Sequence, residues 1–198
     1  SYAVNFANGT DTLNIVSGGI IVVSANTSIG NGRLTAGPVS GAVGTQHLYI
    51  HANSTRLALN ATIVDNSANA PVRLVTAFYN GNGGVTMTAA NTYTGGTVFQ
   101  GWDTAGASHG AMLDGANGTV VIPAGGLTIT NTTVTMLNNS GQIDPTNVVT
   151  ITGNTLDTWE NSHAEGVEEP VVEFETNPLG IALNGQPMSS IPLSAPQF

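Results

Sequence analysis

Val85-Thr86-Met87-Thr88-Ala89-Ala90-Asn91-Thr92-Tyr93-Thr94-Gly95-Gly96-Thr97-Val98-Phe99-Gln100-Gly101 is the stretch that decides the fold. Val85 and Met87 lie two apart and share one face of a short strand, with Thr on the other face. Asn91 and Thr92 then open a turn, where the Asn side chain is able to bond its own backbone or to stack on another Asn as a ladder. Tyr93 is placed to cover that turn. Gly95-Gly96 supplies positive φ before a second strand begins at Thr97.

The same pattern echoes elsewhere. Gly18-Gly19-Ile20-Ile21-Val22-Val23 ends in Asn26-Thr27, and Gly125-Gly126-Leu127-Thr128-Ile129-Thr130 ends in Asn131-Thr132. Val149-Thr150-Ile151-Thr152 keeps the strand without the Gly pair. Leu127 to Val149, Val85 to Leu127 and Ile20 to Val85 stand near one, two and three multiples of about 21 to 22 residues, the length of one solenoid coil. Residues 46–50, 56–64 and 72–78 read as strands of coils that match the motif poorly. The fold expected is therefore all-β, a parallel β-solenoid. A β-sandwich is the alternative, since it also gives short alternating strands with frequent turns.

Composition agrees with strands and turns. The chain has 198 residues, of which 40% are hydrophobic and only 8% charged, against about 25% in ordinary domains. Lys is absent, and helix-favouring residues give way to Val, Ile, Thr, Gly and Asn. The net charge is −9, and Arg33, Arg56 and Arg73 are scattered, so no basic patch for nucleic acid or anionic lipid is expected. There is no Cys, hence no disulfide or thiolate chemistry. No apolar run reaches the ~20 residues needed to span a bilayer as a helix. The start carries no Met and no signal-peptide pattern, as expected of a processed N-terminus or a segment of a longer chain.

Asn91-Thr92-Tyr93-Thr94-Gly95-Gly96-Thr97 resembles, without a gap, the hallmark of the autotransporter-associated β-strand repeat, also called the passenger-associated transport repeat. The resemblance covers under a tenth of the chain. It implies a right-handed parallel β-helix in an exported bacterial protein, with scaffold repeats that carry no catalytic residues. The chain departs from the family in having one good copy. It also lacks the alternating, aromatic-ended strands of a membrane barrel, so self-export by its own barrel is not expected from these residues.

Two stretches break the coil pattern. Residues 101–115 read as an inserted loop holding Trp102, Asp103, His109 and Asp114, either a sugar-stacking site or a core cap with solvated polar groups. Residues 1–155 are thus expected to form the solenoid, and 156–198 an acidic loop followed by an extended tail with Pro178, Pro187, Pro192 and Pro196. All six Glu lie between Glu160 and Glu175. Asp157, Glu160, Glu165, Glu168 and Glu169 are a candidate Ca²⁺ set, although without the fixed spacing of a dedicated loop. The competing reading is a solvated acidic loop. No other cofactor is expected. Asn-x-Ser/Thr sequons stand at Asn8, Asn26, Asn53, Asn60, Asn117, Asn131 and Asn138 as candidate glycosylation sites.

Function follows from these readings as expectation. A structural protein of the bacterial cell surface or extracellular matrix, an adhesin stalk or a filament subunit, comes first, with itself and surface polysaccharide as partners. A carbohydrate-binding or carbohydrate-cleaving β-helix is second, though Asp65, Asp103, Asp114 and Asp144 are isolated where hydrolysis needs facing carboxylates. A viral coat or fibre component is third.

Overall fold

A computed structural model describes residues 2–17, 19–53, 55–79, 83–101, 110–137 and 139–152, together with the backbone strands 171–174, 182–183 and 186–187. The chain winds as a parallel β-solenoid of about five turns. The expected fold class is observed, and the sandwich alternative is not.

Each coil passes through up to three faces. The first face stacks β1 (Tyr2–Asn5), β4 (Thr27–Gly30), β7 (Arg56–Leu59), β10 (Gly84–Met87), β12 (Gly110–Leu113) and β14 (Thr133–Met136). The second stacks β2 (Thr12–Ile15), β5 (Arg33–Ala36) and β8 (Thr62–Ile63). Above β8 this face continues as arcs without ladder strands. Thr92 N–H donates to Ile63 O, and Ile122 bridges Ile143 in parallel. The third face is the broadest: β3 (Gly19–Val22), β6 (Gln46–Asn53), β9 (Val72–Tyr79), β11 (Thr97–Gly101), β13 (Leu127–Thr130), β15 (Val148–Thr152) and β16 (Val171–Phe174). Farther along, β17 (Ala182–Leu183) and β18 (Gln186–Pro187) form an antiparallel pair.

Period-2 alternation produces the core, because every second side chain of each strand points into the coil. Parallel register then stacks like on like. Leu57, Val85, Ala111 and Val134 form one inward column; Ile50, Thr76, Phe99, Ile129 and Ile151 form another. The Phe78 and Phe99 rings meet at 6.2 Å between neighbouring coils.

The coil length departs from the expected 21 to 22 residues. Leu127 does pair with Val149, 22 residues on. Val85, however, lies on the first face and pairs with Leu57 and Ala111, whereas Leu127 and Ile20 lie on the third face. The longer intervals therefore joined different faces and were not multiples of a coil. True coils run from 21 residues, Thr12 to Arg33, to 30, Thr27 to Leu57. The excess goes into outward loops. Residues 37–45 and 64–70 are two of these, and they brace each other: Asn66 Nδ2 donates to Ala36 O and Pro38 O, and Gly44 N–H donates to Asn69 O. Loop length costs little free energy, so it is free to vary.

Gly110–Leu113, the end of the expected 101–115 insertion, is β12, with Ala111 and Leu113 in the core. Asn26 and Asn131 take positive φ (56° and 49°) at the corner from the third face to the first. Asn tolerates that conformation better than most residues.

Candidate functional site

The Asn91–Thr97 motif lies across coils rather than in a local turn. Asn91 is buried. Its Oδ1 accepts from Ile63 N–H at 2.7 Å in the coil below, and its Nδ2 donates to Val121 O at 2.7 Å in the coil above. The expected bond to its own turn and the expected Asn ladder are both absent here, because the second face offers no continuous strand ladder at this height. The side-chain amide replaces the missing backbone ladder. Tyr93 is fully buried and belongs to the core; its hydroxyl meets Thr97 Oγ1 at 2.5 Å. Thr92 and Thr94 point outward. Thr94 N–H and Oγ1 both donate to the Asp65 carboxylate, which also accepts from Val72 N–H at 2.6 Å.

The two glycines of the motif differ. Gly96 takes positive φ, 87°, as expected of the pair; Gly95 does not. Gly95 is needed for close approach, since a Cβ there would stand 2.5 Å from Val72 O. The motif is a staple that locks one coil between its neighbours.

The sequence reading did not identify three further staples. Gln142, buried, accepts from Gly115 N–H at 2.5 Å and donates to Leu137 O and Asn139 O. Asn147 accepts from Gly126 N–H at 2.7 Å and donates to Pro123 O. Arg56 Nη1 donates to Val85 O and Gly110 O, spanning two coils, and burial lowers its pKa below the usual arginine range. An isolated Gln, Asn or Arg carries no spacing signal that announces such a role.

The outer side of the third face is the other candidate surface. On β6, His47, Tyr49, His51 and Asn53 all point out; on β9, Arg73, Val75, Ala77 and Tyr79 do. Register sets His47 beside Arg73, Tyr49 beside Val75, His51 beside Ala77 and Asn53 beside Tyr79. The His47 and Tyr49 rings lie 5.6 Å apart. A depression of about 390 Å³ opens at one end of this face, lined by His51, Asn53, Tyr79 and Gln100 among others. The alternation His47-Leu48-Tyr49-Ile50-His51 was legible as a strand, but its partner Arg73 is far along the chain.

The Ca²⁺ candidates Asp157, Glu160, Glu165, Glu168 and Glu169 lie outside the described residues, as do Trp102, Asp103 and His109. Among the described residues no group of three His, Asp or Glu side chains gathers. Of the sequon residues, Asn8, Asn26, Asn53, Asn60 and Asn117 are exposed, Asn131 is half-buried, and Asn138 lies outside the described residues. Asn60 Oδ1 already accepts from Thr88 Oγ1 at 2.9 Å. No helix among the described residues is long and apolar enough to cross a membrane.

No family model, no curated protein and no solved structure matches the chain. Function is therefore argued from the fold and its surfaces.

Proposed function

We propose that the chain is a non-catalytic structural protein of the bacterial cell surface or extracellular matrix, built to stack end to end as a filament or stalk. One observation supports this reading: among the described residues the first coil has no coil packed on its outer side. β1, β2 and β3 are the end strands of their sheets, and their outer edges have no hydrogen-bonded neighbour among the described residues. Register places Val4 in the inward column of Ile29 and Leu59, yet Val4 is 46% exposed. Tyr2, in the column of Thr27 and Leu57, is 70% exposed. Such an end, apolar and strand-edged, favours pairing with another coil. A preceding coil of a longer chain or a coil of a second copy supplies one, and the second copy gives the filament.

The Asn91–Thr97 resemblance to the autotransporter-associated repeat supports an exported, extracellular or surface setting, where such repeats serve as scaffold. Light scattering and electron microscopy of the purified chain test the assembly. Rods that lengthen with concentration are expected. A monodisperse monomer at high concentration would sink the filament reading.

A further inference from the structure

We infer that Asn117 is a self-modification site, where the folded chain converts the side-chain amide to aspartyl and isoaspartyl products with water as the only co-reactant. This inference does not rest on end-to-end stacking.

The chemistry belongs to the Asn-Gly dipeptide. The main-chain nitrogen of the Gly loses its proton and attacks Cγ of the Asn. A C–N bond forms, Nδ2 leaves as ammonia, and a five-membered succinimide closes. Water then opens the ring. Attack at the side-chain carbonyl leaves an aspartyl residue; attack at the main-chain carbonyl leaves an isoaspartyl residue. One water is consumed, one ammonia is released, and nothing is oxidised or reduced. Gly favours the ring because it has no Cβ to crowd the attacking nitrogen and leaves the backbone free to turn.

The fold separates pairs that the dipeptide alone leaves equivalent. Asn8-Gly9, Asn31-Gly32 and Asn117-Gly118 lie among the described residues; Asn80, Asn82 and Asn184 of the remaining pairs lie outside them. At Asn31 the attacking nitrogen is held. Gly32 is buried, a Cβ there would stand 2.4 Å from the Phe6 ring, and its carbonyl accepts from Thr62 N–H at 2.9 Å. At Asn8, Asp11 grips the residue from two sides. Its carboxylate accepts from Asn8 N–H at 3.0 Å, and its own N–H donates to Asn8 O at 3.1 Å. That carboxylate also repels the negative charge that develops on the attacking nitrogen.

Asn117 carries none of these restraints. Ala116, Asn117 and Gly118 are all exposed, and the Asn117 side chain makes no hydrogen bond among the described residues. Thr119 N–H closes the turn onto Ala116 O at 2.9 Å, which leaves Gly118 N–H outside the bond. Gly118 has φ of 78° and open space where a Cβ would stand. The flanks are anchored independently: Gly115 N–H and Val121 N–H both donate to Gln142, to its side-chain and main-chain oxygens respectively. The turn is thus able to rearrange without moving the core. Asn117-Gly118-Thr119 is also a sequon, and a glycan on Nδ2 would occupy the nitrogen that must leave.

The test incubates the full, unglycosylated chain in mildly alkaline buffer, folded and in urea, and follows each Asn-Gly peptide by mass spectrometry that distinguishes isoaspartyl from aspartyl. In urea the three described pairs should convert at similar rates. In the folded chain Asn117 should stay within about threefold of its urea rate, while Asn31 slows at least tenfold, about 1.4 kcal/mol on the barrier. Asn8 should convert more slowly than Asn117, and Asp11→Ala should speed it. Circular dichroism confirms that this variant keeps its fold. Conversion of folded Asn8 or Asn31 ahead of Asn117 overturns the proposal. So does an Asn117 slowed as much as Asn31, a product with no isoaspartyl form, or an Asn8 rate indifferent to Asp11→Ala in the folded variant.

Discussion

The first coil and the fourth are built from the same kind of strand, yet one is open and the other is closed. In the fourth, Val85, Met87, Tyr93 and Phe99 have no exposed surface. In the first, Tyr2 and Val4 occupy inward register and remain exposed, while Leu13, Ile15 and Ile20 are only partly buried. Hydrophobicity is not what separates them. A solenoid coil is buried by the coils above and below it, so burial is a property of position in the stack. The interior coils also have staples. Asn91, Gln142 and Asn147 tie backbone groups of adjacent coils, and the first coil has no counterpart among the described hydrogen bonds.

That contrast can be broken from the inside outward. The largest effect is expected for Phe99→Ala, which empties a buried site stacked on Phe78 and should cost about 4 kcal/mol of stability by denaturant unfolding. Asn91→Ala comes next, at about 3 kcal/mol, because it strands Ile63 N–H and Val121 O in the core. Equal stability of this variant and the native chain would remove the staple from the account. Tyr93→Phe should cost about 1 kcal/mol through the lost Thr97 bond.

Tyr93→Phe also sharpens the pH response. Burial pushes the Tyr93 phenol up from its usual value of 10.0. The unfolded chain therefore ionises first, and the native chain should lose stability as pH rises above about 10. Below that pH the group has no such effect. The variant's stability should fall less steeply across the alkaline range, read from melting temperature against pH.

The smallest stability effect is expected at the open end. Val4→Ser should change unfolding by less than about 1 kcal/mol, since Val4 is already half in water. Its effect belongs in light scattering, where shorter assemblies are expected. A variant that assembles like the native chain would mean that the first coil is not the contact.

Much of the fold was legible because alternation is local. Leu127 and Ile129, or Val149 and Ile151, announce one buried face within four residues, and each pair is in the core. The glycine and asparagine corners were legible for the same reason, as at Gly96 and Asn131. The motif at Asn91 is legible in the sequence, but its task, tying Ile63 N–H to Val121 O across coils, is not. Asn26-Thr27 and Asn131-Thr132 turn corners with Asn in the left-handed region, while Asn91-Thr92 places its Asn inside the core. The dipeptide is the same, and what differs is the residue stacked above and below.

The sequence by itself determined the strands, their inward side chains and the all-β class, because those follow from period-2 patterning and turn chemistry within a few residues. Only the tertiary structure decided which strands share a face, how long a coil is, and which distant residues meet. Outward loops lengthen at little cost, so spacing along the chain does not report register. Stacking does, and it is stacking that sets His47 beside Arg73, Asn91 between Ile63 and Val121, and Val4 on a strand whose outer edge has no hydrogen-bonded neighbour among the described residues.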